Sequence, residues 1–190
     1  RVRSQESKER VCSPRCPLSP PPLPDMAAAA TPSRPSTLVA KLTERAGTWT
    51  HVSLAPHSDR AVAFKLDDAT IGVLHHDGLL EVPVPMPVRT VLVEEGLASP
   101  HDARPGTNWV AAHLRSEDDV DTTALLLRLS YLYRRLLRSQ DAATLRRIRT
   151  EVAQYGLPDA LNTIYDTMLA KRVDATASPL PGLSSSSLNP

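Results

Sequence analysis

Between Thr48 and Pro85 the chain passes through four short runs of alternating apolar and polar residues, and nothing between them is long enough to be a helix. The runs are "TWTHVSLA", "RAVAFKL", "ATIGVLHH" and "LLEVPVP". Alternation with a period of two predicts strands with one buried face. The predicted inward positions are Thr50, Val52 and Leu54 in the first run and Val62, Phe64 and Leu66 in the second. In the third run Ile71, Val73 and His75 fall on one side, opposite Gly72, Leu74 and His76. The segment "PHSD" is expected to turn the first pair. Asp77-Gly78 is the strongest hairpin signal, because glycine accepts positive φ without a Cβ clash. The prolines of the fourth run remove ladder donors, so that strand is expected at an edge or cut short.

Helical spacing surrounds this cluster. "STLVAKLTERAG" is predicted to start at the cap Ser36 and stop at Gly47, and "MPVRTVLVEEG" reads as a short helix with Pro87 at its start. After one more strand, "NWVAAHL", comes a long helix capped by Ser116, with Glu117, Asp118 and Asp119 in its first turn and Arg134, Arg135 and Arg138 near its end. Two further helices break at Gly156-Leu157-Pro158. Strands that cluster rather than alternate with helices predict an α+β fold. Its expected form is an antiparallel sheet of about four to five strands with helices on one face, plus a C-terminal helical pair.

The 18 prolines crowd into the two ends and one internal run. This divides the chain into a disordered leader over residues 1–35, an α+β domain over 36–138, a helical extension over 139–172 and a disordered Ser/Pro tail over 173–190. Met26, followed by "AAAATPSRPS", is the alternative start, which would make the preceding residues a non-functional leader. Both cysteines, Cys12 and Cys16, lie in that leader, so the predicted domain has neither a disulfide framework nor a cysteine nucleophile.

No apolar run approaches the roughly 20 residues of a membrane helix, and a soluble, cytoplasmic protein is expected. A formal net charge of +1 argues against nucleic acid as a partner. The arginines of 134–149 read as a solvated helix face, since no stacking aromatics accompany them. No nucleophile elbow, dinucleotide fingerprint or P-loop occurs, and no motif names a cofactor.

Two segments could carry chemistry. In "LHHDGLL", His75 and His76 point to opposite faces of a regular strand, so they cannot share one metal, and no further ligand spacing supports one. The HHDG stretch is first a hairpin turn. In "SPHDARPGTNW", His101, Asp102 and Arg104 lie in a Pro/Gly loop ahead of Trp109, which is expected in the core or in a pocket wall.

These two segments lie within a longer pattern. His75, Asp77, Gly78, Pro83, Pro85, Arg89, Leu92, Val93, Gly96, Ala98, Pro100, His101, Trp109, Val110, Asp119, Val120 and Tyr131 follow one another in an order that resembles the luciferase domain family, across roughly Ile71 to Leu136. The chain departs from that pattern at Val73 and His76, where the family has histidine and glycine, at Val84 in place of phenylalanine, and at Asn108 in place of glycine. Glu81 occupies the family's acidic position. The resemblance implies an α+β domain, with light emission in some members. It implies neither a flavin barrel nor an adenylating fold. It also singles out His75, Asp77, Arg89, His101 and Trp109 as a set to look for in space.

Two functions follow. One is a small binding or interaction module, whose C-terminal helices dock a protein partner or a second copy and which has room for a small-molecule ligand. The other is a small oxidative, luciferase-like enzyme. In that reading His75 and His101 act as acid/base groups, with Asp77, near the ligand-binding residues Trp109 and Arg89.

Overall fold

The computed structural model of the chain describes residues 34–177. Its elements run in the order α1 (Arg34–Gly47), β1 (Val52–Ser58), β2 (Ala61–Leu66), β3 (Ala69–His75), β4 (Leu79–Pro83), α2 (Met86–Glu94), β5 (Ser99–Pro100), β6 (Trp109–His113), α3 (Glu117–Arg138), α4 (Ala142–Gln154) and α5 (Asp159–Ala177). The strands form one antiparallel sheet in the order β1-β2-β3-β4-β6-β5. The α+β class is as expected. The sheet has six strands because two residues inside the predicted loop, Ser99 and Pro100, pair with Ala111 and Val110. Cys12, Cys16, Met26 and the terminal Ser/Pro stretch fall outside the described residues.

Three local expectations change. Helix α1 begins at Arg34, so Ser36 lies within it rather than capping it. Strand β1 starts only at Val52, after a turn in which His51 takes positive φ, and it continues through Pro56 to Ser58. The turn is therefore Asp59-Arg60, and "PHSD" is mostly strand. A sheet edge tolerates a proline, and the register shift between Pro56 and Ser58 absorbs it. Being an edge, β1 is largely exposed, and Leu54 is not the inward residue its alternation suggested. The third change is in β3. Phe64 pairs with Gly72 but Lys65 pairs with Thr70, so Ile71 is an extra, bulged residue. The bulge turns Ile71 into the main core, while Val73 and His75 stay on the opposite face.

That main core lies on the helix side of the sheet. Phe64, Leu74, Leu80, Val82 and Val110 meet Leu126, Leu127 and Leu132 of α3 there. Gly72 allows the close approach, since a Cβ at that position would lie 2.5 Å from Leu127 Cδ1. Helix α3 is buried on several sides because α1, the sheet, α4 and α5 all pack against it. Its fully buried Ser130 hydroxyl donates to the Pro83 carbonyl at 2.8 Å. Leu145, Ile148, Val152, Leu161, Tyr165 and Leu169 of α4 and α5 belong to the same buried cluster. The apolar stripe of the helical pair is thus spent inside the chain. Among the described residues, no helix is long and apolar enough to cross a membrane.

The starts of α3 and α4 carry acidic residues, as the dipole favours. The Asp119 carboxylate accepts from the Arg115 and Ser116 backbone N–H groups and from the Ser116 hydroxyl, closing a capping box. Asp141 accepts from the Ala143 and Thr144 backbone and from the Thr144 hydroxyl. The Arg115 and Ser116 hydrogen bonds hold the Asp119 carboxyl below its ordinary value, and those from Thr144 and Ala143 do the same for Asp141. A carboxyl depressed by folding stabilises above its unfolded value, and that contribution is lost as pH falls through the folded one. Urea midpoints measured from about pH 6 to about pH 2 are expected to fall less steeply in the Asp119→Asn/Asp141→Asn double variant than in the parent chain.

Candidate functional site

The site builds up from the sheet face that the helices leave free. Val73, Glu81 and Ala111 are cross-strand partners on β3, β4 and β6, so their side chains share a face. Ala63 joins them through its pairing with Val73, and His75 through the period of two. This is the side away from α3, since the neighbouring Gly72 is the residue that faces Leu127. His76 points the other way, into a groove with Leu54 and Val39 of α1. The two adjacent histidines therefore lie on opposite faces, His75 as the last residue of β3 and His76 in the turn after it.

The short β5 strand brings in the second histidine. Ser99 pairs with Ala111 and Pro100 with Val110, so the same register carries His101 alongside Trp109. Their rings meet edge to face, with centroids 6.3 Å apart. Trp109 packs against the small cluster of Ala61, Ala63 and Val73, and the Arg104 guanidinium lies 5.1 Å from the centre of its ring. Consecutive turns, Arg104 N–H to the His101 carbonyl and Thr107 N–H to the Arg104 carbonyl, shape the loop. Thus the loop after His101 returns across the sheet face.

At the centre is Glu81. Its Oε1 is 3.0 Å from His101 Nε2, and its Oε2 is 3.6 Å from His75 Nε2. One carboxylate therefore faces two imidazoles, one at the end of β3 and one just beyond β5, within ion-pair range of each. Neither contact has hydrogen-bond alignment. His75 Nε2 and both ring nitrogens of His101 have no hydrogen-bond partner among the described residues. For His101, only 6 % exposed, this is costly, since a buried unsatisfied polar group forfeits about 1–3 kcal/mol. A group in that state is poised to accept or donate to something that enters the site.

The other residues singled out from the sequence lie elsewhere. Asp77 belongs to the three-residue loop His76-Asp77-Gly78 and accepts from the Leu79 N–H at 3.1 Å, so it shapes the turn. Arg89 is half-buried on α2, and among the described residues no hydrogen bond or ion pair joins it to the histidines. Sequence reasoning did not single out Glu81 for a role of its own. The available signal was a charged residue in an otherwise apolar strand, on the same side as Leu79 and Pro83. Among the described residues, no group of three or more His, Cys, Asp or Glu is arranged to hold a metal ion.

Comparison with known proteins touches the same region. No curated protein and no solved structure matches the chain. The stretch that contributes His75, Glu81, His101 and Trp109 is nevertheless identifiable: residues 68–130 match the family model described as the luciferase domain.

Proposed function

We propose that the domain binds a small organic molecule against Trp109 and exchanges a proton with it through the His75–Glu81–His101 cluster. The observation that carries this reading is His101, buried, unsatisfied at both ring nitrogens and 3.0 Å from the Glu81 carboxylate. A carboxylate beside a buried imidazole is the arrangement of a general acid/base. The luciferase-domain match supports an oxidisable organic substrate. His101 and His75 are the proposed catalytic residues, Glu81 their positioning residue, and Trp109 the wall for the substrate. Docking of a protein partner through α4 and α5 is less well supported, because their apolar stripe is buried.

The test follows the imidazole ring signals of His75 and His101 by NMR while a panel of luciferin analogues is added. At least one analogue is expected to shift both histidines and the Trp109 indole in a saturable way. The Glu81→Leu/His101→Phe double variant is expected to lose that response while gaining about 1–3 kcal/mol of stability, since it removes a buried charge and an unsatisfied ring. Histidine signals indifferent to every analogue would sink the ligand reading. A double variant less stable than the parent would assign the cluster to the fold instead.

A further inference from the structure

A cavity of about 540 Å³ opens on the helix side of the molecule between α1, α3 and α4. Arg45, Trp49, Asp121, Leu125, Arg128 and Tyr155 line it. Its volume is that of a small-molecule pocket. It shares no lining residue with the histidine cluster.

Arg128 determines the chemistry of this cavity. Its guanidinium lies 4.6 Å from the centre of the Trp49 ring and 4.3 Å from that of Tyr131. Its Nε donates to Glu151 at 2.5 Å, and the Tyr155 hydroxyl donates to the same carboxylate oxygen at 3.1 Å. Burial opposes the charge on Arg128, but the hydrogen bond and charge of Glu151 outweigh it and hold the guanidinium above its ordinary range. Burial likewise raises the Tyr155 phenol, against the pull of Arg128 beside it, and it stays a neutral donor. An arginine has five N–H donors, and this one gives its Nε to Glu151 and also interacts with the Tyr155 hydroxyl, which leaves donors for a ligand. Among the described residues, nothing accepts a hydrogen bond from the Trp49 indole N–H. A guanidinium fixed by a carboxylate, flanked by aromatic rings and lining the cavity beside a phenol hydroxyl, matches the two oxygens of a carboxylate.

The rim adds a second cation at small cost. Arg45 is tied to Asp121 at 2.6 Å, with both side chains more than half exposed. Such a pair contributes about 0–1 kcal/mol, so an arriving anion can take Arg45 over. Trp49, Leu125 and the Tyr155 ring supply apolar walls. We propose that this cavity is a second ligand site, and that it takes a planar aromatic carboxylate, with the acid group on Arg128 and Arg45 and the ring against Trp49 and Tyr155.

The chain has two tryptophans, Trp49 and Trp109, and each stands in one of the two sites. Their indole N–H signals in a nitrogen–proton correlation spectrum of the full chain therefore report the sites separately. Trp49→Phe assigns them by removing one signal, and Trp109→Phe does so by elimination should the first variant fail to fold. Titration with 2-naphthoate is expected to shift the Trp49 indole saturably and leave Trp109 in place. Naphthalene-2-carboxamide, the uncharged isostere, is expected to bind at least about tenfold more weakly, as is 2-naphthoate to Arg45→Gln. Equal responses to the acid and the amide would reduce the cavity to an apolar hollow and overturn the proposal. A silent Trp49 would also overturn it. A shift of Trp109 alone would place the anion at the histidine cluster, overturning this inference and leaving the proposed function standing.

Discussion

Replacing Tyr165 by alanine is expected to lower the unfolding free energy by about 3–5 kcal/mol, read from urea midpoints. Tyr165 is fully buried, and its hydroxyl donates to the Leu129 carbonyl of α3 at 2.8 Å. Burial pushes the phenol far above its ordinary range, so it remains a neutral donor at any working pH. The ring supplies most of the effect and the hydroxyl the smaller part. Tyr165→Phe, which keeps the ring, is therefore expected to cost only about 1 kcal/mol. Against a total stability of about 5–15 kcal/mol, the alanine variant is near the limit of folding. The same experiment tests the boundary expected after residue 138. A helical extension leaning on a self-sufficient 36–138 domain would melt in its own transition, with the strands undisturbed. Because α5 shares its buried cluster with the sheet, the helix and strand signals are expected to be lost together.

Gly78→Ala is expected to cost about 3 kcal/mol, for a reason that has nothing to do with the core. Gly78 sits at φ +90°, where a side chain is strained by about 1–3 kcal/mol. It also has no room. A Cβ would lie 2.6 Å from the Leu114 carbonyl oxygen, a backbone atom that cannot swing aside. The Leu114 N–H donates to the Gly78 carbonyl at 2.8 Å, so the turn is stapled to the chain just beyond β6, and the displacement would loosen that bond too. Gly106 provides the comparison. It has a similar φ of +75°, but a Cβ there would meet nothing within 4 Å, so Gly106→Ala is expected to cost only about 1 kcal/mol. Similar thermal shifts for the two variants would show that conformation, not crowding, sets the cost at Gly78.

The legible parts of the fold were those with strong periodicity. The run "LLLRLSYLY" inside a capped helix, the Asp77-Gly78 turn and the break at Gly156-Leu157-Pro158 each set a local structure that packing then kept. Edges were harder to read. Strand β1 was legible as a strand, but its proline and register shift hid its bounds and inward face, and β5, two residues long, is too short to alternate. The bulge at Ile71 was hidden because inserting one residue leaves the composition unchanged and only reverses which side the next residue faces. For the candidate site, His75, His101 and Trp109 were visible as separate segments. Their meeting depends on β5 pairing with β6, a long-range contact that no local pattern encodes. Glu81 was hidden by its neighbours, since one acid between Leu80 and Val82 looks like a solvent-side residue until a loop is laid over it. The Trp49–Arg128 cavity joins residues from α1's end, α3 and α4, and its parts share no motif.

The two faces of the sheet are covered to very different depths. One side lies under α1 and α3, with α4 and α5 behind them. The other has a tryptophan, three small side chains and a single loop that is mostly exposed from Asp102 to Asn108. Lifting that loop would break a two-residue ladder and a few ring contacts, and would leave the buried leucines where they are. Access to Glu81 and overall resistance to unfolding are therefore separate free energies in this protein, set by different residues and free to drift apart. A chain weakened in its helix layer can admit its ligand as readily as before, and one with a stiffened loop can be shut to it without becoming any more stable.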